Sequence, residues 1–85
     1  MGKKIYVGNL SYEVTEGELS QVFSQCGRVV DVQIIKDKKT GRSKGFGFVE
    51  MHDETEARHA VERMTGYDLK GRPLTVGEAR ERLRR

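Results

Sequence analysis

The run Lys44-Gly45-Phe46-Gly47-Phe48-Val49-Glu50-Met51 constrains the fold of this chain more than any other stretch. Successive side chains of a β-strand point to opposite faces. The run therefore splits into Gly45, Gly47, Val49 and Met51 on one side and Lys44, Phe46, Phe48 and Glu50 on the other. Placing both phenylalanines in a core would bury Lys44 and Glu50 with them and expose Val49 and Met51. Unpaired buried charges cost more than two phenylalanine side chains gain on burial. The opposite assignment follows: Val49 and Met51 face inward, and the two rings stand on the outer surface between a cation and an anion. Lys4 to Gly8 sorts in the same way, with Ile5 and Val7 inside and Lys4 and Tyr6 outside.

The remaining elements follow from periodicity and end signals. Thr15 and Glu18 have capping-box spacing, and Leu19, Val22, Phe23 and Cys26 recur as one helical stripe that Gly27 should end. Val29 to Ile35 is rich in β-branched residues and reads as a second strand. A basic loop around Thr40-Gly41 leads to the third strand, Lys44 to Met51. Asp53 and Glu56 repeat the capping signal, and Ala57, Ala60, Val61 and Met64 repeat the stripe up to Gly66. After a short loop, Pro73 introduces a last strand, Leu74-Thr75-Val76. The order βαββαβ predicts an α+β, ferredoxin-like sandwich: a four-stranded antiparallel sheet with two helices on one face. With 85 residues, one small domain over 1–80 and a short basic tail over 81–85 account for the whole chain.

In this topology the first and third strands are neighbours, so Tyr6, Phe46 and Phe48 form one exposed patch, half of the six aromatics in the chain. A monomer seldom exposes such a patch without using it. Rings offer π-faces to unpaired bases, and flanking cations such as Lys4 and Lys44 suit phosphates. The net charge of +3 is modest, but its distribution is uneven. Cations crowd the segment Lys36 to Lys44 and the tail from Glu78 to Arg85, whereas acids gather at Glu13, Glu16 and Glu18 and again at Asp53, Glu54 and Glu56. One surface can thus meet a polyanion while the acidic helices stay free for a protein partner.

The two strands also resemble the signatures of a known family. Lys44 to Met51 matches the RNP1 motif of RNA-recognition-motif domains, and Ile5-Tyr6-Val7-Gly8-Asn9-Leu10 resembles the RNP2 motif on the first strand. The chain is most similar to the short free-standing members from bacteria and to the domain of plant glycine-rich RNA-binding proteins. The resemblance implies binding of single-stranded RNA in post-transcriptional RNA handling, with single-stranded DNA left open. By position it implies that Tyr6 and Phe46 stack bases, that Phe48 contacts a sugar or base between them, and that Lys44 meets a phosphate. It further implies that Lys4, Gln33 and Glu78 line the same face, that Arg80 completes the site beyond the last strand, and that Lys38, Lys39 and Arg42 clamp the backbone. Met51 and Cys26 depart from the family's aromatic preference at positions that face the core.

Other chemistries find little support. Gly45-Phe46-Gly47 lacks the third glycine of a dinucleotide fingerprint and leads into a strand instead of opening a helix. Cys26, His52 and His59 lack metal-ligand spacing, no nucleophile has a recognisable base, and no cofactor or small-molecule substrate is expected. An acylphosphatase-like enzyme on the same fold would need an arginine in a phosphate-cradling loop, which Asn9 to Glu13 does not supply. The remaining rival is a protein-interaction module using the aromatic face or the acidic helices. One cysteine, no signal peptide and no apolar run of membrane length point to a soluble, cytoplasmic monomer.

Overall fold

The computed structural model describes residues 2–79, so Arg80 and the basic tail 81–85 lie outside the described residues. Strand β1 spans Lys4–Gly8, and helix α1 spans Glu16–Phe23. The helix begins where expected: the Thr15 hydroxyl accepts the Glu18 N–H at 3.1 Å, and Glu18 Oε1 accepts the Thr15 N–H at 3.0 Å. The Thr15 amide and the Lys70 ammonium, 3.2 Å away, hold the Glu18 carboxyl below its usual range. The helix stops earlier than the stripe implied. Its stripe runs on as a 3-10 turn, Ser24–Cys26, which leaves Cys26 half-buried against the core and not inside it. Burial still raises its thiol pKa, against the opposing charge of Arg63.

Gly27 has φ 150° and ψ −168°, so it is no left-handed helix cap. A Cβ there would lie 2.7 Å from the Glu56 carboxylate, which accepts the Arg28 N–H at 2.9 Å. The glycine therefore serves a close approach between the start of β2 (Val29–Lys36) and α2 (Glu54–Met64). Strand β3 spans Ser43–Met51. Asp53 caps α2 by accepting the Glu56 N–H at 2.8 Å, and the helix buries Ala57, Ala60 and Met64.

The segment after α2 differs from expectation. Asp68–Leu69 (β4) and Arg72–Pro73 (β5) form a small antiparallel hairpin. Its two turn residues, Lys70 (φ 55°) and Gly71 (φ 87°), both lie in the left-handed region, as a type I′ turn requires. Pro73 belongs to this hairpin, and the last strand of the main sheet, β6, is Thr75–Glu78. Strands of two residues are too short to leave a period in the sequence, and Lys70 is not a residue type that announces such a turn.

The main sheet has the order β2-β3-β1-β6, with every neighbouring pair antiparallel. Ile5 lies opposite Val49, and Val7 lies between Gly47 and Val76. One face of this sheet packs on both helices through a single cluster that includes Ile5, Val7, Leu19, Phe23, Val49, Met51 and Ala60, all 0% exposed. Met51 lies at the heart of it, so the side assigned to it by strand alternation is the side it occupies. Met51→Ala should cost about 2–5 kcal/mol in urea unfolding; a stability indistinguishable from the parent would place Met51 outside the core.

Candidate nucleic-acid interface

The helix-free face carries the other half of the alternation. Tyr6 sits directly opposite Phe48 across the β1–β3 ladder. Together with Phe46 these rings form a triangle, with centroid separations of 6.0 Å (Tyr6–Phe46), 6.0 Å (Tyr6–Phe48) and 6.3 Å (Phe46–Phe48). Tyr6 and Phe46 are tilted by 33°, whereas Phe48 stands edge-on to both, at 67° and 88°. Each ring is half-buried. These separations fall within the range in which aromatic pairs attract, so the patch is organised before any ligand arrives.

Glycines shape the patch at two points. The Tyr6 ring lies along the strand over Gly8, where an added Cβ would collide with the phenol. Gly45 has φ 88°, which only glycine adopts without strain, and it interrupts the regular β2–β3 register at the start of β3. Lys44 is exposed at the strand start, where its charge helps hold the Asp37 carboxyl down.

The structure gathers some expected residues and separates others. Lys4 is exposed, with its ammonium 5.8 Å from the Phe48 ring centroid, a cation–π contact at the edge of the patch. Gln33 on β2 lies opposite Phe48, exposed on the same face. Lys38, Lys39 and Arg42 are exposed on the β2–β3 loop. That loop is tightly built: Asp37 accepts the N–H groups of Lys39 at 2.7 Å and Thr40 at 3.2 Å, and donates its own N–H to the Arg42 carbonyl at 2.7 Å. Those amides, with Lys44, depress the Asp37 pKa.

Glu78 requires a correction. It pairs with Ile5, and Val76 pairs with Val7, so an unbroken register turns Glu78 toward the helix side of the sheet rim, not toward the rings. The resemblance alone implies a place for it on the ring face; alternation does not. Arg80 lies outside the described residues.

Other residues join the site unannounced. Asp31 lies opposite Glu50 on the ring face, and like charges facing each other across a ladder are unfavourable. The open face is therefore not uniformly basic. Asn9, in the left-handed region at φ 58°, donates from Nδ2 to the Pro73 carbonyl at 2.7 Å and accepts from Arg72 Nη2 at 2.7 Å. It thereby steers an exposed guanidinium to the end of β1, beyond Gly8 and the Tyr6 ring. No short-range pattern links residues so far apart in sequence. His52, Asp53 and Glu56 bring ligand atoms within 4.8 Å of one another, but Asp53 caps α2 and Glu56 holds the Arg28 amide, so these carboxylates already have structural partners.

A four-stranded sheet backed by two helices, with a preformed ring triangle on its open face, defines the class of single-domain sheet binders whose surface suits flat unpaired ligands. Residues 5–75 match the RNA recognition motif, and the chain belongs to that family. It is 51% identical over 78 residues to the putative RNA-binding protein RbpA of Nostoc sp., covering 92% of this chain and 76% of that protein. It is 48% identical over 82 residues to the chloroplastic RNA-binding protein CP31B of Arabidopsis thaliana, covering 96% of this chain and 28% of that one. The chain thus spans under a third of CP31B, and likewise 47% of glycine-rich RNA-binding protein 10 of Brassica napus. Among solved structures, RNA binding protein PG1 superposes with a TM-score of 0.89 at 49% identity, covering 96% of this chain and 99% of that one. The Rna15 RRM with bound RNA (GU) superposes with a TM-score of 0.86 at 32% identity, covering 95% and 86%.

The contact between Tyr6 and Gly8 generates a test of the patch that needs no ligand. Gly8→Ala should displace the Tyr6 ring and shift the aromatic NMR resonances of Tyr6 and Phe46, with little change in melting temperature. Unmoved ring resonances in a folded variant would show that Gly8 does not seat the ring.

Proposed function

We propose that this domain binds single-stranded RNA across the open face of its sheet and acts in post-transcriptional RNA handling. The observation that carries this reading is the ring triangle: three aromatic side chains from two strands, within 6.3 Å of one another, on the face that no helix covers. A short strand of about 2–4 nucleotides stacks on Tyr6 and Phe46, while Phe48 meets a sugar or base between them. Lys4, Lys44 and Arg72 offer charge to phosphates at the margins, and Gln33 hydrogen-bonds a base edge beside Phe48. Relatives named as RNA-binding proteins, and an RNA-bound structure at 32% identity, support the same reading.

Stacking tolerates every base, so sequence preference is modest. No residue of the patch is identified as reading a 2′-hydroxyl, so single-stranded DNA of the same sequence competes. The function is binding without catalysis, by a monomer. No helix among the described residues is long and apolar enough to cross a membrane. The single cysteine suits the reducing cytoplasm, and the chloroplastic names of some relatives place similar domains in an organelle.

Two measurements decide the matter. In fluorescence anisotropy with short random-sequence RNA, Tyr6→Ala/Phe46→Ala should lose about 1–3 kcal/mol per stacked base while remaining folded. Wild-type protein that ignores every RNA pool, or a double variant that binds as well as wild type, would remove the sheet face as an RNA site. Replacing Lys38, Lys39 and Arg42 together with alanine should reduce the slope of log affinity against log salt. An unchanged slope would take the β2–β3 loop out of the interface.

A further inference from the structure

One aromatic side chain stands apart from the ring patch. Tyr12, 72% exposed, is the most exposed large hydrophobic side chain among the described residues. A structured turn holds it out in solvent. The Val14 N–H donates to the Ser11 carbonyl at 3.1 Å, and the Glu13 N–H donates to Ser11 Oγ at 3.3 Å. The Leu10 N–H donates to the Gly45 carbonyl at 2.9 Å and ties the same loop to β3. Tyrosine is enriched at protein interfaces and among the residues that carry most of their binding energy.

Tyr12 walls a cavity of about 520 Å³ between the β1–α1 loop and the β2–β3 loop. Val14 and Ile34, each 5% exposed, form its apolar floor. Ile34 lies opposite Gly47 in the inner row of the sheet, and Val14 belongs to the core. The cavity is therefore on the helix side, and the rings are on the reverse. Its charges are uneven. Lys36 and Arg42 stand exposed along the β2–β3 side, with no ion pair among the described residues. On the opposite side Glu16 Oε2 accepts the Ile34 N–H at 3.0 Å, which leaves Glu13 as the uncommitted carboxylate. Lys38 and Lys39, exposed on the same β2–β3 loop, add to the cationic side.

We propose that this cavity docks a protein partner through an acidic, extended segment carrying one aromatic or large aliphatic side chain. The apolar side chain lies on Val14 and Ile34 against the Tyr12 ring, and flanking carboxylates pair with Lys36 and Arg42. The surplus of cations over the Glu13 carboxylate favours an acidic chain and disfavours a basic one. A free anion would leave the ring and the floor uncovered. This surface goes beyond the RNA-binding reading and does not depend on it. Because the sheet lies between the two sites, the domain can hold RNA on one face and a protein on the other.

The test records amide NMR spectra of the full chain with short acetylated peptides. The peptide Asp-Glu-Phe-Glu-Asp should shift the signals of Val14, Ile34 and Arg42 and leave those of Tyr6 and Phe48 in place. Replacing its phenylalanine with serine, or its acids with lysines, should weaken binding about ten-fold or more. Tyr12→Ala and Lys36→Glu alter exposed side chains, so both should melt with the parent while losing about five-fold or more in peptide affinity. The Tyr6→Ala/Phe46→Ala variant should bind the peptide like wild type, so a failed RNA reading leaves this surface standing. Loss of the peptide in that double variant would put it on the ring face and overturn the proposal. So would the absence of any shift, equal binding of the acidic and lysine peptides, or full affinity in Tyr12→Ala. Random-sequence RNA that shifts Val14 and Ile34 where the acidic peptide does not would make the cavity a nucleic-acid surface and overturn it too.

Discussion

The structure depends on the contact between its two central strands. Ile5 and Val7 on β1 meet Val49 and Gly47 on β3, and Met51 extends the same inner row. Removing apolar surface from water contributes about 25 cal/mol per Å², and these side chains are entirely removed. Because the side-chain period of a strand is two, burying this row obliges Tyr6, Phe46 and Phe48 to stand on the other face. A register slip of one residue would exchange the rings for the core, so the same free energy that holds the domain together also holds the binding face open. The candidate site is thus a consequence of the core and needs no separate scaffold.

What turns three exposed rings into an organised patch is the backbone around them. Gly8 leaves room for the Tyr6 ring to lie along its own strand. Gly47 has no room for a side chain, because a Cβ would strike the Gln33 carbonyl on β2. Gly45 bends the start of β3 where it meets the β1–α1 loop. Charge acts mainly at the margins. Lys4 lies over Phe48, Arg72 is held by Asn9, and the loop cations stand on a turn drawn together by Asp37. Within the face, Asp31 and Glu50 oppose each other, which favours stacking and edge contacts over bulk attraction as the source of affinity.

Much of this was legible in the residues, and what was not has identifiable causes. Thr15 with Glu18 and Asp53 with Glu56 mark both helix starts, because a cap is a local contact that leaves a local pattern. The alternation at Val49 and Met51 placed the rings outside, because buried charge is too costly to allow the reverse. The Asp68–Pro73 hairpin was missed because two-residue strands have no period. Cys26 followed the helical stripe, but the last turn tightened into a 3-10 turn and left it half-buried. Glu78 was assigned by analogy, and its pairing with Ile5 turns it toward the other side.

By itself the sequence determined which residues could share a face, because alternation, helical stripes and caps are properties of neighbours along the chain. It also carried the two motifs that mark the family, since both lie within continuous segments. Only the tertiary structure decided which segments stand side by side. The order β2-β3-β1-β6 brings Tyr6 against Phe48 and sets Gln33 beside them. Packing of the hairpin delivers Arg72 to Asn9, and the meeting of two loops builds the Tyr12 cavity. These contacts join residues tens of positions apart, and their geometry follows from how the whole core closes.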